Sequence, residues 1–170
     1  MALSGALEYP ELERLVVESG GLDKDSVRAV ARASLPMLTR LELWTGSSTY
    51  GGTSTVEDVT PLLDGRAFPR LVELGFRNSE YTDGFCKALA TAPIAARLRT
   101  LDLSMGTMSD AGVEALVDAR ERLTSIKMIG VSDNYVSEAG LAALAALGVE
   151  VVNRAGYKQA DSDRYVSVGE

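Results

Sequence analysis

A six-residue phrase with apolar residues at its first, fourth and sixth positions recurs along the chain and strongly limits the folds it can adopt. One copy reads Leu98-Arg-Thr-Leu101-Asp-Leu103. The copies begin at residues 12, 38, 71, 98 and 123, at intervals of 26, 33, 27 and 25 residues. A unit of this size cannot bury its apolar face alone, so this period predicts copies that stack side by side around one continuous core.

Each phrase is followed by signals for a turn and a helix. An apolar residue stands near the eleventh position of four copies, at Leu22, Tyr81, Met108 and Val136. Two of the segments that follow nearly repeat each other, Ser109-Asp110-Ala111-Gly112-Val113 and Ser137-Glu138-Ala139-Gly140-Leu141. A serine followed by an acid is typical of a helix start. The sequence therefore predicts an α/β fold, with a parallel sheet on a concave face and helices on a convex face.

The domain organisation follows from the same pattern. We expect a single domain over residues 1–170, with a partial sixth repeat near residue 146 and a last strand within 148–152. The 33-residue interval contains a polar loop at 46–54 and a helical run over 56–63, which Thr60-Pro61 could restart or kink. Residues 153–170 are a polar tail, and its alternating segment 164–168 is predicted either to fold back as a cap or to be disordered.

Repeats of 25 to 28 residues with a full helix resemble the ribonuclease-inhibitor-like class of leucine-rich repeats, from residue 12 to about residue 151. The ninth-position asparagine of that class is replaced by Gly20, Ser79 and Gly106, and Asn134 fits only after a three-residue insertion.

A closer resemblance rests on Leu41-Glu-Leu-Trp44, Tyr50-Gly51-Gly52, Leu74-Gly-Phe-Arg77-Asn78-Ser79, Leu101-Asp-Leu-Ser104 and the segment 164–168. These phrases are similar to the C-terminal half of a family of actinobacterial cytoplasmic leucine-rich-repeat proteins. That resemblance implies a fold and a bacterial cytoplasmic location, and it implies no activity.

Residues 1–10 are too short to cover the edge of a strand near Leu12, and an uncovered strand edge tends to pair with another chain. We therefore expect either a fragment of a longer solenoid or self-association through the uncapped N-terminal repeat. The fragment hypothesis predicts a gain in stability when upstream repeats are restored.

Composition argues against several functional classes. Seventeen basic and twenty-four acidic residues give a net charge of −7, which disfavours binding to nucleic acid or to anionic membranes. No signal peptide and no apolar stretch of about 20 residues is apparent, so a soluble cytoplasmic protein is expected. The chain has no histidine and one cysteine, Cys86, which reads as a buried helical residue. These counts remove histidine-based nucleophile pairs and histidine zinc sites, and we predict no cofactor and no metal.

Carboxylates remain as possible catalysts. Glu42 and Asp102 occupy equivalent positions two strands apart, which predicts a separation of roughly 9–10 Å at about 4.8 Å per strand. That separation suits an inverting glycosidase, so an enzyme acting on carbohydrate is one alternative. A shallow sheet face offers no water-excluding pocket, however, and we favour a protein without catalytic activity. Asp133 and Glu138 could suggest calcium, but Asp133-Asn134 is better explained as turn chemistry.

The side chains that point away from the core predict a binding surface for a protein partner. Trp44 is the only tryptophan and is expected to face solvent beside Arg77 and the loop that carries Tyr50. Tryptophan, tyrosine and arginine are favoured at binding hot spots. In the alternative interpretation, Arg77 stacks on Trp44 as an internal pair and Tyr50 covers the ring. Five basic and five acidic residues make this face near neutral, which favours protein over nucleic acid. The predicted partner-binding residues are Glu42, Trp44, Tyr50, Arg77, Asn78, Asp102, Met105 and Lys127.

Overall fold

The structure is a computed structural model that describes residues 8–154 and 163–167. In this part of the chain, six strands form a parallel sheet in chain order. The strands are β1 (Arg14–Val17), β2 (Arg40–Gly46), β3 (Glu73–Ser79), β4 (Thr100–Asp102), β5 (Met128–Gly130) and β6 (Glu150–Val152). The helices are α1 (Lys24–Ala31), α2 (Val56–Leu63), α3 (Thr82–Thr91), α4 (Asp110–Asp118) and α5 (Glu138–Ala145), with 3₁₀ turns at Ser48–Tyr50 and Pro93–Arg97. The predicted α/β fold with a parallel sheet is confirmed.

The strand register aligns the fourth position of the repeated phrase across the whole sheet. The row consists of Leu15, Leu41, Leu74, Leu101, Ile129 and Val151. Its four central members are at most 1% exposed. Because side chains alternate along a strand, neighbouring positions point to the opposite face of the sheet. The core therefore lies on one face, and the fifth position of each phrase lies on the other.

The fifth phrase begins three residues later than predicted. Ile129, and not Ile126, pairs with Leu101 in the sheet. The apolar residues of this copy are therefore Ile126, Ile129 and Val131, all of them buried. Ile129 is fully buried, whereas a phrase that began at Leu123 would place it at the seventh position, which points outward. In the corrected register Asn134 stands at the ninth position, and no insertion is needed.

Helices α4 and α5 begin where their capping serines predict. Ser109 accepts a hydrogen bond from the Ala111 amide, and Ser137 accepts one from the Gly140 amide. Such caps satisfy amides that have no partner within the helix. α2 covers 56–63 as predicted and continues through Pro61, which lies in the second half of the helix.

One apolar cluster joins the sheet to the helices. Phe76 of β3 stacks on Phe85 of α3 with ring centroids 3.9 Å apart, and both rings are fully buried. Each large side chain buried in this way contributes about 1.5–3 kcal/mol. Cys86 is also fully buried, and burial raises the pKa of its thiol, so the prediction of a buried cysteine is confirmed. None of the helices in the described ranges has the length and apolarity required to cross a membrane.

Candidate partner-binding site on the open face

The face of the sheet opposite the helices, here called the open face, carries the fifth- and seventh-position side chains of the phrases. Glu42 stands on this face but is only 5% exposed. Its Oε1 accepts hydrogen bonds from Trp44 Nε1 at 2.8 Å and from Arg77 Nη1 at 3.0 Å. Its Oε2 accepts one from Arg40 Nη2 at 2.8 Å. Both carboxylate oxygens therefore hold neighbouring side chains in place.

The charge of Glu42 is stabilised by these donors. Burial by itself acts to raise the pKa of the carboxyl group, because it penalises the charged form. The hydrogen bonds from Arg40, Trp44 and Arg77 outweigh that effect, and the pKa lies below its ordinary value. Glu42 is therefore a permanent anion at neutral pH.

Arg77 is the centre of the cluster. Its guanidinium carbon lies 4.7 Å from the centroid of the Trp44 ring, a cation–π geometry. Its Nη2 donates to Met105 Sδ at 3.2 Å, and its Nε lies 3.5 Å from Asp102 Oδ2. The internal stacking of Arg77 on Trp44, the alternative predicted from the sequence, is thus present. Side chains from β2, β4 and the turn after β4 fix the guanidinium in one position.

Acidic side chains and glycines alternate along the fifth-position row. Gly75 pairs with Glu42 and with Asp102, and Gly130 also pairs with Asp102. A Cβ atom at Gly75 would lie 2.9 Å from Glu42 Cγ, and one at Gly130 would lie 2.7 Å from Asp102 Oδ1. The side chain of each acid lies over the neighbouring glycine, in the space that the side chain of any other residue would occupy.

Two open hollows flank Asp102 on this face. One has a volume of about 450 Å³ and is lined by Arg77, Asp102, Ser104, Met105, Met128, Gly130, Ser132, Asp133, Val152 and Arg154. The other, of about 190 Å³, is lined by Arg40, Glu42, Glu73, Leu74, Gly75, Thr100, Asp102 and Met128. The larger hollow thus has methionine and valine on its walls and charged groups of both signs around them.

The structure brings together five of the eight predicted site residues: Glu42, Trp44, Arg77, Asp102 and Met105. Tyr50 lies in the 3₁₀ turn after β2, is 47% exposed, and makes no ring contact with Trp44 in the described part of the chain.

Two of the predicted site residues are corrected by the structure. Asn78 is fully buried, with a φ of 48°, so the prediction that it faces a partner is wrong. Lys127 precedes β5 and hydrogen-bonds through its amide to Arg99 O, while Gly130 holds the fifth-position place predicted for Lys127.

Sequence reasoning missed several residues of the larger hollow, among them Ser132, Asp133 and Arg154. The three-residue register error hid the first two, which hold the seventh and eighth positions of the corrected phrase. Asn134 was the signal that could have found them. Its Nδ2 donates to Leu103 O, Val131 O and Ser132 O, and its Oδ1 accepts from the Met108 amide. Placing Asn134 at the ninth position gives the correct register directly.

The arrangement offers fixed charges and shape rather than a set of metal ligands. Across residues 8–154 and 163–167, no group of three or more acidic or cysteine side chains is placed to hold a metal ion. Asp133 has a φ of 54°, which agrees with its interpretation as a turn residue.

The sequence matches no protein-family profile and no curated protein. Among solved structures, the chain is similar to a protein from Bacteroides fragilis that was a structural-genomics target, with a TM-score of 0.87 and 26% sequence identity. The similarity covers 96% of this chain and 46% of that chain. The chain therefore spans less than half the length of the matching protein, and the match agrees with the α/β fold described above.

Proposed function

We propose that the chain is a leucine-rich-repeat solenoid of the ribonuclease-inhibitor-like class and a protein-interaction scaffold without catalytic activity. The recurring phrase, the parallel strands in chain order and the ninth-position hydrogen bonds of Asn134 support this assignment. A stack of this kind has a continuous face of strand side chains, which repeat proteins use to bind macromolecules.

The observation that carries the proposal is the fixed Trp44–Arg77 pair beside the hollow of about 450 Å³. The side chain of Arg77 is 24% exposed, so it remains accessible although Glu42 and Asp102 hold it. Ordering a flexible side chain on binding costs about 0.5–1.5 kcal/mol, and this cost is already met in the free protein. The pair is therefore a preorganised anchor of the kind found at binding hot spots.

The charges of the open face favour a protein partner. Three arginines and four carboxylates line the two hollows: Arg40, Arg77, Arg154, Glu42, Glu73, Asp102 and Asp133. Nucleic-acid binding requires an excess of basic groups along the binding surface. A mixed surface with apolar walls suits the side chains of another protein.

A carbohydrate-cleaving enzyme is supported less well by the same geometry. Such an enzyme needs one carboxyl group with a raised pKa to act as general acid. The pKa of Glu42 is shifted in the opposite direction, and its two oxygens are occupied by Arg40, Trp44 and Arg77.

Affinity capture from a cytoplasmic extract of the source organism, followed by titration with each captured protein in purified form, tests the proposal. Trp44 is the only tryptophan of the chain, so its fluorescence reports on binding at this face after the emission of the partner alone is subtracted. The parent chain should show a saturable change in emission. An Arg77→Ala variant should bind at least about tenfold more weakly, as expected for a hot-spot arginine.

The matched control is Arg66→Ala, because Arg66 has a side chain that is 90% exposed and lies outside both hollows. This variant should bind like the parent. Circular dichroism should show that both variants are folded at the assay temperature. Equal affinity of the parent, Arg66→Ala and Arg77→Ala for every captured protein would show that the open face is not the binding site.

A further inference from the structure

A short segment near the end of the chain, residues 163–167, lies against the turns that follow β4 and β5. Arg164 Nη1 donates hydrogen bonds to Asp83 Oδ2 at 2.7 Å and to Thr107 O at 2.6 Å. The Ser167 amide donates to Met105 O at 2.9 Å. The segment thus joins the end of the chain to residues that precede it by 57 to 81 positions.

The hydroxyl of Tyr135 forms hydrogen bonds with both the amide and the carbonyl group of Tyr165. It accepts a hydrogen bond from the Tyr165 amide at 2.9 Å and donates one to the Tyr165 carbonyl at 3.3 Å. The two rings meet edge to face, with centroids 6.2 Å apart. These contacts bind the backbone and the aromatic ring of Tyr165. Asp83 and the Thr107 carbonyl bind the arginine that precedes it.

The walls of this groove are held by bonds that do not involve the segment. Asp83 accepts hydrogen bonds from the Ser109 amide at 2.8 Å and from Ser109 Oγ at 2.7 Å. Tyr135 is only 6% exposed, and its amide donates to Met108 O at 2.8 Å. By contrast Tyr165 is 65% exposed. The hydrogen bonds that hold Asp83 and the Tyr135 backbone are therefore made within the repeats, and the Tyr165 ring contributes little buried surface of its own.

We propose that the groove formed by Asp83, Met105, Thr107 and Tyr135 is a docking site for an extended peptide of a protein partner, in which an arginine precedes an aromatic residue. Residues 163–167 are its intramolecular occupant, and the partner peptide competes with them. The proposal goes beyond the open-face function and does not depend on it, since the groove lies at the strand ends and shares only Met105 with the open face.

The test uses a synthetic peptide with the sequence of residues 161–170 and a fluorophore at its N-terminus. Its binding is measured by fluorescence anisotropy to the full chain and to the full chain carrying Arg164→Ala and Tyr165→Ala. The double variant should bind the peptide saturably. The parent should bind at least about twofold more weakly, because a tethered segment competes at an effective concentration in the millimolar range.

Two matched comparisons identify the contacts. A peptide with alanine at the positions of Arg164 and Tyr165 should not bind, and this comparison leaves the protein itself unchanged. In the double-variant background, Tyr135→Phe should weaken binding about three- to tenfold through loss of the hydroxyl, whereas Tyr9→Phe, at an exposed tyrosine near β1, should not.

Three results would overturn the proposal. The first is that the double variant shows no saturable binding up to about 1 mM, a limit set by the expected effective concentration. The second is equal binding to the parent and the double variant, and the third is equal binding of both peptides. Trp44→Ala in the double-variant background separates the two proposed sites. It should leave peptide affinity unchanged, whatever the outcome of the open-face experiment.

Discussion

At the scale of single residues, Glu42 is the buried acid that organises the open face. Taking a carboxylate out of water is costly unless its charge and its lone pairs are met by partners. Here two arginines and an indole N–H meet both oxygens. Removing one partner would leave a buried charge with less compensation, which is why we expect Glu42, Arg77 and Trp44 to act as a unit.

The lowered pKa of Glu42 predicts a measurable effect of pH on stability. A folded-state pKa below the ordinary value of 4.5 means that the unfolded chain binds the proton more tightly. The ionised group therefore stabilises the fold above that value, and this contribution is lost as pH falls through the folded-state pKa. Urea unfolding between about pH 6 and about pH 3.5 should show a smaller loss of unfolding free energy for Glu42→Gln than for the parent.

The control for this experiment is Glu114→Gln, which changes an exposed glutamate of α4. Its unfolding free energy should fall with acidification as steeply as that of the parent. If Glu42→Gln follows the same slope as the parent, the carboxylate of Glu42 does not stabilise the fold in the way described.

Single residues also show which features of the site could be predicted from the sequence and which could not. The positions of Trp44 and Arg77 on adjacent strands follow from the repeat spacing, and their stacking was one of two predicted outcomes. The burial of Glu42 could not be predicted, because it depends on how three long side chains from two strands fold over one carboxylate. Asn78 shows the same limit, since it lies near the end of β3 with a φ of 48° and is fully buried.

At the scale of elements, the helices are linked by a ladder of acids and serines. Asp83, near the start of α3, accepts from the amide and hydroxyl of Ser109, the residue that caps α4. Asp110, near the start of α4, does the same for Ser137, which caps α5. The start of α3 therefore positions the start of α4, and the start of α4 positions that of α5, so the pair Ser109-Asp110 serves both its own helix and its neighbour.

The glycines of these helices make room for the ladder. A Cβ atom at Gly140 would lie 2.5 Å from Asp110 Oδ1. Alanine would otherwise favour the helix by about 1 kcal/mol, yet we expect Gly140→Ala to destabilise the fold by about 1–3 kcal/mol through overpacking. Urea unfolding of Gly140→Ala, Asp110→Ala and the double variant measures this in a double-mutant cycle.

The double variant should be more stable than the sum of the single effects allows, by about 1 kcal/mol or more, because removing Asp110 also removes the clash. Additive effects, or a stabilising Gly140→Ala, would show that the glycine has no role in the ladder.

Elements also explain which part of the fold was predictable. Helix starts were found because their signals are local, in the serine and acid at 109–110 and 137–138. The start of the fifth phrase was misplaced because two overlapping patterns fit it: Leu123, Ile126 and Met128, or Ile126, Ile129 and Val131. The choice between them is made by contacts with the previous repeat, where Asn134 bonds to Leu103 O and Gly130 accommodates Asp102.

At the scale of the whole molecule, the described elements contact mainly their neighbours in the sequence. Each strand pairs with the next strand along the chain, and each helix packs against the next helix. Burial is uneven along this series, since β2 and β3 each contain five buried residues, whereas β1 and β6 contain none. In a stack of this kind, stability is approximately a sum of terms for each unit and each interface between units.

This architecture predicts that the ends of the sheet open more readily than its centre. The amides of Arg40, Glu73 and Glu150 are suitable reporters, because each donates across a different strand pair, to Glu13 O, Thr39 O and Lys127 O. Hydrogen exchange followed by nuclear magnetic resonance should be slowest at Glu73, between β2 and β3, and faster at Arg40 and Glu150. The ordering follows from burial, because opening an end pair exposes little apolar surface and so costs less free energy. Equal protection at all three amides would instead mean that the sheet unfolds as one cooperative unit, with stability not divided among its repeats.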